Sequence, residues 1–271
     1  MAESSCLFVY LPGAGGGETQ LSALREALGA AFRFELIDYP GWRIYLDDKF
    51  SAEALIAHLA AEISARVPQG PVLIAGASLG GHFAYAVALY LKGMGREIRG
   101  SCVIDSFMID SSGPSEGWRS RALAEGIEHL RNGRLGKFMR FARSRFWRAL
   151  FRLASGNLKT LLRRSSASGR LPMLLAIDPI AEEELSLRLL IRAVAPWVAS
   201  LDREPAALHA PTILLRTSAT ASDDAAWVSR CPEIKIYEIR GQHRTLFEPQ
   251  NVGSLRDAFV LGTSDWCKTG R

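Results

Sequence analysis

The feature that most constrains the fold is an apolar segment that runs directly into a glycine-flanked serine and then into a helical pattern. Residues 71–75 are typical of a buried strand, and residues 79–92 carry apolar side chains at helical spacing. Between them lies Gly76-Ala77-Ser78-Leu79-Gly80. Such a strand–turn–helix setting holds a serine hydroxyl clear of a sheet on a strained backbone, and side chains at 76 or 80 would collide across the turn. The sequence therefore predicts that Ser78 is a nucleophile.

Strand and helix patterns alternate along most of the chain. The predicted strands are Leu7–Leu11, Phe32–Tyr39, Pro71–Ala75, Ile98–Ile104, Thr212–Leu215 and Ile234–Ile239. The predicted helices are Gln20–Leu28, Ala52–Val67 with Ser51 as its N-cap, Leu79–Lys92 and Gln250–Leu261. This alternation predicts an α/β fold with a mostly parallel central sheet and helices on both faces.

Residues 107–202 interrupt the alternation, because their patterns indicate helices and no convincing strand. We therefore predict a core formed by residues 1–106 and 203–271, with residues 107–202 inserted between two strands. Functional elements concentrate in excursions from a rigid scaffold, so we interpret this insertion as a helical lid over a site.

Composition narrows the class of protein. With 271 residues, 48% of them hydrophobic, the chain can bury one substantial core. It has no apolar run long enough to cross a membrane and no N-terminal pattern of a signal peptide. The four cysteines, Cys6, Cys102, Cys231 and Cys267, lack metal-type spacing, and we expect reduced thiols, no metal site and a cytoplasmic location. The net charge of +5 favours an acidic partner without identifying it.

A serine hydroxyl is a poor nucleophile unless a base lies within hydrogen-bonding reach. In folds built around such a serine turn, the histidine follows the last strand. Of the five histidines, His243 meets this condition, since it follows the strand pattern 234–239, and Gly241 would let the loop turn sharply. We therefore predict His243 as the general base.

The sequence offers two places for the acid that orients the histidine. Asp105 ends the strand after the serine helix, at the sheet edge where ligands bind, and Asp223 and Asp224 follow the next strand. Either placement can bring a carboxylate to the histidine's Nδ1. We favour Asp105, with Asp224 as the alternative.

The oxyanion of an acyl-transfer transition state needs fixed hydrogen-bond donors. We predict the backbone N–H of Leu79 as one donor and that of Ala14 as the other, with Gly13 or Gly15 as alternatives to Ala14. The glycine-rich loop 12–17 lacks both the GxGxxG and the GxxxxGK[ST] patterns, so no nucleotide cofactor is expected.

These motifs together resemble a known family. In chain order they are Leu11-Pro12-Gly13-Ala14-Gly15-Gly16, Asp38-Tyr39-Pro40-Gly41, Gly76-Ala77-Ser78-Leu79-Gly80-Gly81, Ala84-Tyr85, Val103-Ile104-Asp105-Ser106 and Gly241-Gln242-His243. They are similar to the thioesterase domains of nonribosomal peptide and polyketide synthases and their free-standing relatives, which have the α/β-hydrolase fold. The likeness covers residues 7 to 110 and 205 to 260. Ala86 departs from a glutamate that is frequent in the family, and the insertion matches no family pattern.

The resemblance implies a reaction. In that family an aspartate at the position of Asp105 is the triad acid. The implied function is release of a polyketide- or peptide-type acyl chain from the phosphopantetheine of an acyl or peptidyl carrier protein through an acyl-enzyme on Ser78, by hydrolysis or by cyclisation or transfer. No further cofactor is implied. The alternatives are a carboxylesterase or lipase-like serine hydrolase and a catalytically idle binding protein.

The inserted region contains a basic amphipathic stretch. Its apolar residues at helical spacing are Leu135, Phe138, Met139, Ala142, Phe146, Leu150 and Leu153, and seven lysines and arginines lie between 134 and 152. Such a stretch can be a solvated face, bind an acidic carrier protein or its phosphate, or lie on a membrane. No nucleic-acid recognition motif accompanies the charge, so we expect no nucleic-acid partner. We favour the solvated face or the acidic carrier over a membrane. The apolar side, with Trp147 and Phe151 nearby, could wall an acyl tunnel.

Overall fold

The computed structural model describes residues 6–14, 18–107, 135–153, 160, 162–164, 178–201, 203 and 206–267. The strands are β1 (Cys6–Leu11), β2 (Phe32–Leu36), β3 (Val72–Ala77), β4 (Ile98–Ile104), β5 (Thr212–Arg216) and β6 (Ile234–Glu238). The helices are α1 (Glu18–Leu28), α2 (Ala52–Arg66), α3 (Leu79–Gly93), α4 (Leu135–Leu153), α5 (Pro179–Ser200), α6 (Asp224–Arg230) and α7 (Pro249–Thr263). None of these helices is both long and apolar enough to cross a membrane.

The six strands form one sheet in the order β2-β1-β3-β4-β5-β6, and every neighbouring pair is parallel. Parallel crossovers are right-handed, so α1, on a connection that runs towards one edge, covers one face. Helices α2 and α3, on connections that run the other way, cover the opposite face. The predicted α/β-hydrolase architecture, a parallel sheet with helices on both faces, is confirmed.

An aromatic cluster fixes the first strand in this sheet. Phe8 of β1 is fully buried, and its ring lies 5.7 Å from that of Phe34 on β2 and 5.1 Å from that of Phe259 on α7. Burying a side chain of this size contributes about 1.5–3 kcal/mol. The cluster therefore holds β1, and the loop that follows it, in a defined place beside β3.

The direction in which successive strands are added to the sheet reverses after β2, so the switch point lies between β1 and β3. The loop after β1 leads to a helix on one face, and the turn after β3 leads to a helix on the other. At such a switch point the two loops diverge and leave a crevice outside the carboxyl ends of the strands, where ligands of α/β folds bind. Ser78 directly follows β3, so it lies at this crevice.

The chain divides into two compact units. The first comprises Met1–Tyr39, Ser51–Ile109 and Pro196–Arg271 and contains the sheet; the second, which we call the helical unit, comprises Pro40–Phe50 and Asp110–Ala195. The sequence patterns predicted an insertion of residues 107–202 and assigned residues 40–50 to the core. Within the helical unit, Arg163 donates to the carbonyl of Leu46 and pairs with Asp48 at 2.7 Å, which ties residues 40–50 to it. That this unit acts as a lid stays a prediction.

Helix α4 packs against α5 through its charged side. Arg143 pairs with Asp178 at 2.7 Å, Arg148 pairs with Glu184 at 2.7 Å, and the Trp147 indole N–H donates to Asp178 at 2.7 Å. These acids attract the cations of α4, so the apolar stripe faces outward. Its exposed residues are Leu135, Met139, Phe146, Leu150 and Leu153. The aromatic residues expected to wall a tunnel therefore do not share one surface. Phe146 is exposed, whereas Phe151 is buried and stacks on Trp147.

The expectation of four reduced thiols is wrong for two cysteines. Cys6, which begins β1, forms a disulfide with Cys267, just after α7, with their Cα atoms 5.3 Å apart. The two cysteines are 261 residues apart in sequence, so no local pattern indicated that they are close. They meet because α7 packs against the sheet in the same core cluster as β1. Cys102 and Cys231 are buried free thiols.

Candidate active site

Ser78 lies in a sharp turn between β3 and α3. Its φ of 55° and ψ of −122° place it in a strained conformation, and its N–H donates to the carbonyl of Ile104 at 2.8 Å. A Cβ on Gly76 would lie 2.1 Å from the carbonyl oxygen of Gly80, and one on Gly80 would lie 2.1 Å from that of Leu11. The turn can therefore form only with glycine at both positions, as the sequence pattern indicated.

Asp105 follows β4, the strand next to β3, and its side chain is fully buried. Its Oδ1 accepts hydrogen bonds from the Thr217 N–H and the Thr220 hydroxyl, both at 2.8 Å, and its Oδ2 contacts Nδ1 of His243 at 2.8 Å. Burial by itself raises the pKa of Asp105, but the hydrogen bonds from His243, Thr217 and Thr220 outweigh it and hold the pKa below its usual range. The group is therefore an ionised carboxylate in neutral solution.

His243 lies in the loop after β6 and is partly exposed. Because its Nδ1–H donates to Asp105, Nε2 is the nitrogen left to accept a proton. The ring of Phe107 packs against the imidazole, with centroids 4.6 Å apart and planes at 84°. Gly241, with a φ of 102°, turns the chain into this loop.

The structure brings Asp105, and not Asp224, to His243. Both oxygens of Asp224 contact the Arg216 guanidinium, at 2.9 and 3.1 Å. Arg216 also pairs with Glu238 at 2.7 Å. Asp224 is therefore engaged in a separate ion-pair group at the start of α6.

The loop after β1 lies against Ser78. A Cβ on Gly13 would be 3.4 Å from the Ser78 Cβ, and the Tyr39 hydroxyl donates to the carbonyl of Pro12 at 2.6 Å, which anchors the loop. Ala14, the predicted oxyanion donor, is the next residue and is half-buried; Gly15 lies outside the described residues. Leu79 begins α3, so its N–H has no acceptor within the helix.

Sequence reasoning missed Gln20 near this loop. Its Oε1 is buried, finds no hydrogen-bond partner among the described residues, and would lie 3.7 Å from a Cβ at Gly13. A polar residue in the first turn of the helix after a glycine-rich loop was the signal available. It also missed Thr217 and Thr220, whose signal was hydroxyl residues after the strand beside β4.

A buried group supports the segment that follows Asp105. His82 Nε2–H donates to the carbonyl of Phe107 at 3.0 Å, and the Trp227 indole N–H donates to that of Ser106 at 2.8 Å. The His82 ring stacks on Trp227, with centroids 5.4 Å apart, and Arg230 lies 3.5 Å from its Nδ1. These contacts fix the backbone that carries the Phe107 ring against His243.

The arrangement is suited to acyl transfer. It combines a serine at a strained turn, a histidine oriented by a buried carboxylate, and backbone N–H groups beside the serine. In the described part of the chain, no group of three or more His, Cys, Asp or Glu side chains is placed to hold a metal ion.

Comparison with protein families identifies this arrangement. The sequence matches the family model of the thioesterase domain over residues 7–259. The chain belongs to the thioesterase domain family. As a member of it, the chain is an enzyme of the serine-hydrolase type.

Solved structures of thioesterase domains share the fold. The covalent complex of the NocB thioesterase domain with a fluorophosphonate nocardicin G analog is 16% identical, with a TM-score of 0.58, and the match covers 96% of this chain and 95% of that one. The Vlm2 thioesterase domain bound with a dodecadepsipeptide is 18% identical, with a TM-score of 0.60 and coverage of 96% and 94%. The four-domain nonribosomal peptide synthetase AB3403 matches over 96% of this chain and 19% of its own length, at 19% identity and a TM-score of 0.57. Comparison with curated protein sequences gives no significant match.

Proposed function

We propose that this thioesterase domain releases an acyl chain from the phosphopantetheine of a carrier protein through an acyl-enzyme on Ser78. The observation that carries the proposal is the direct contact of His243 with the buried Asp105, at the sheet edge that also bears Ser78. A phosphopantetheine thiol, whose pKa is about 8.5 like that of cysteine, leaves far more readily than an alkoxide or an amine. No other cofactor is required.

The proposed reaction has two halves. His243 Nε2 takes the hydroxyl proton while Ser78 Oγ attacks the thioester carbonyl, and the imidazolium then protonates the departing thiolate. The oxyanion is held by the N–H groups of Leu79 and Ala14. In the second half His243 takes a proton from water, or from a nucleophile of the acyl chain or another molecule, as that group attacks the acyl-enzyme carbonyl. The bond to Ser78 Oγ then breaks and the imidazolium returns the proton to Oγ, which yields a free acid with water and a macrocycle, ester or amide with the other nucleophiles.

A carrier partner is supported by the surface of α4. Its exposed apolar stripe lies on a helix with six lysines and arginines and no acidic residue. Three of these cations, Arg140, Arg143 and Arg148, pair with Glu183, Asp178 and Glu184 and still keep part of their side chains exposed. An apolar stripe among cations is complementary to an acidic protein with apolar side chains at its contact surface. The match to a four-domain nonribosomal peptide synthetase is consistent with such a partner.

The test is acyl release from a loaded carrier protein, compared with the matching CoA thioester and a simple ester, with products identified by mass. We expect the carrier substrate to be preferred. Ser78→Ala removes the nucleophile and should lower kcat by about 10⁶-fold, and Asp105→Asn stabilises the wrong histidine tautomer and should lower kcat by about 10⁴-fold.

The matched control is Asp224→Asn, since Asp224 pairs with Arg216 and not with His243. Its kcat should stay close to that of the wild type. Loss of activity in Asp224→Asn but not in Asp105→Asn would overturn the assigned acid. Equal or faster turnover of the simple ester would make the protein a carboxylesterase or lipase-like hydrolase.

A further inference from the structure

The helical unit contains a cleft between the C-terminal half of α4 and the middle of α5, with a volume of about 590 Å³. This size is typical of small-molecule sites. Part of its lining is apolar, because Phe151 is buried and Leu187 and Ile191 are half-buried. The cleft can therefore accept an uncharged chain.

The remaining lining is strongly basic. It includes Arg148, Arg152, Arg188 and Arg192, and Glu184 is the one acid among the described residues that line the cleft. The Glu184 carboxylate accepts hydrogen bonds from the Arg148 guanidinium at 2.7 Å and from the Ser144 hydroxyl at 2.5 Å. The described residues of the lining thus have a formal charge of +3, which a dianion neutralises better than a single carboxylate does.

Arg188 is central to this cluster. Its Nε is buried and makes no hydrogen bond to any described residue, although a buried donor without a partner is costly. Burial, together with the charges of Arg152 and Arg192, lowers the pKa of the Arg188 guanidinium. A bound anion would supply the missing acceptor and relieve the repulsion among the three cations.

We propose that this cleft binds a phosphate monoester carried on an uncharged aliphatic chain. Guanidinium groups match the geometry of phosphate oxygens, and the apolar lining accommodates the chain. Binding here needs neither Ser78 nor acyl transfer, so the inference goes beyond the proposed function; only 4′-phosphopantetheine as a natural source of the phosphate rests on that function.

Calorimetric titration of the full chain at low salt tests the site with three probes: 4′-phosphopantetheine, pantetheine, which lacks the phosphate, and inorganic phosphate, which lacks the chain. We expect saturable binding of phosphopantetheine, weaker binding of inorganic phosphate and none of pantetheine. Arg188→Met and Arg192→Met should each weaken phosphopantetheine binding by about tenfold or more. Arg192 is exposed, so its variant tests the site even if the Arg188 variant fails to fold.

The control is Arg164→Met, an exposed arginine of the same unit that does not line the cleft, and its affinity should equal that of the wild type. Pantetheine binding as tight as phosphopantetheine, inorganic phosphate binding equally tight, or unchanged affinity in the folded cleft variants would each overturn the proposal. Acyl release measured on the same preparations separates the two claims. Activity without phosphopantetheine binding refutes the cleft alone, and binding without activity refutes the proposed function alone.

Discussion

Ser78 and Asp105 are the two non-glycine residues with positive φ in the described part of the chain, at 55° and 44°. Each follows the last residue of its strand, and the two strands are neighbours. Backbone strain of this kind costs on the order of 1–3 kcal/mol per residue and persists only where the surroundings hold it. Here the hydrogen bonds from Ser78 N to Ile104 O and from Asp105 N to Leu215 O hold it.

His82 should make stability depend on pH below neutrality. Burial, and less strongly the charge of Arg230, lowers the pKa of His82 to about 4 despite its hydrogen bond to Phe107. Between pH 6.5 and 4 the unfolded chain therefore binds a proton that the native state does not, so stability is full above pH 6.5 and is lost as the pH falls. The total loss should be about 3 kcal/mol, measured by urea unfolding at a series of pH values.

His82→Gln is the matched variant, since glutamine keeps an N–H for the Phe107 carbonyl and does not titrate. We expect its stability to fall less steeply over the same pH range. An identical pH dependence in wild type and variant would show that another group is responsible.

Residue types that carry chemistry were recognisable because they occur at strand ends. Ser78 and His243 were predicted from motif and position, whereas the sequence left Asp105 and Asp224 as alternatives, since both follow strands. Tertiary contacts distinguish them: Arg216 pairs with Asp224, while Thr217 and Thr220 donate hydrogen bonds to Asp105. Such pairings join residues far apart in sequence and leave no local pattern.

At the scale of elements, α4 presents the surface with the clearest consequence. If the proposed function holds and a carrier docks on its apolar stripe, Phe146→Glu should raise the KM for the carrier-bound substrate by about tenfold, because burying a charge at an apolar contact is unfavourable. The kcat and the KM for a CoA thioester should not change, since Phe146 is 61% exposed and its replacement should therefore leave the fold intact.

Val228→Glu is the control for this change. Val228 is an exposed apolar residue on α6, in the unit that contains the sheet, and its variant should leave the KM for the carrier substrate unaltered. Equal effects of the two variants, or no effect of Phe146→Glu, would exclude the stripe as the docking surface.

Periodicity predicted α4 but not which side it buries. The apolar residues from Leu135 to Leu153 recur at helical spacing, and a stripe of this kind normally faces a core. In α4 most of this stripe is exposed, and the side that contacts the start of α5 carries Arg143 and Arg148, which pair with Asp178 and Glu184, together with the buried Phe151. By contrast, the Ser51 cap of α2 was predictable, since its hydroxyl accepts from Ala54 N at 3.0 Å, a contact within one turn.

At the scale of the whole molecule, the disulfide is a source of stability that composition did not suggest. Cys6→Ser combined with Cys267→Ser should lower the free energy of unfolding by about 2–5 kcal/mol, because the bond restricts the unfolded chain over a loop of nearly its full length. Urea unfolding with and without a reductant measures the effect.

The reductant should destabilise the wild type to the level of the double variant and leave the variant itself unchanged. A wild type that unfolds at the same urea concentration under both conditions would contradict a contribution from the bond.

The parallel sheet and its helices could be predicted from sequence because each strand and helix carries its own periodicity. The division into units could not, since residues 40–50 are assigned by contacts such as that of Arg163 with Leu46, which join distant parts of the chain. The same limit applies to Cys6 and Cys267.

The position of that bond also restricts the order of assembly during synthesis. Cys6 leaves the ribosome long before Cys267, so β1 must pair with β2 and β3 without any covalent restraint. Packing of α7 beside α1 then brings the segment behind α7 to the start of β1, where the two thiols meet. The disulfide therefore seals a completed domain and cannot direct its early folding.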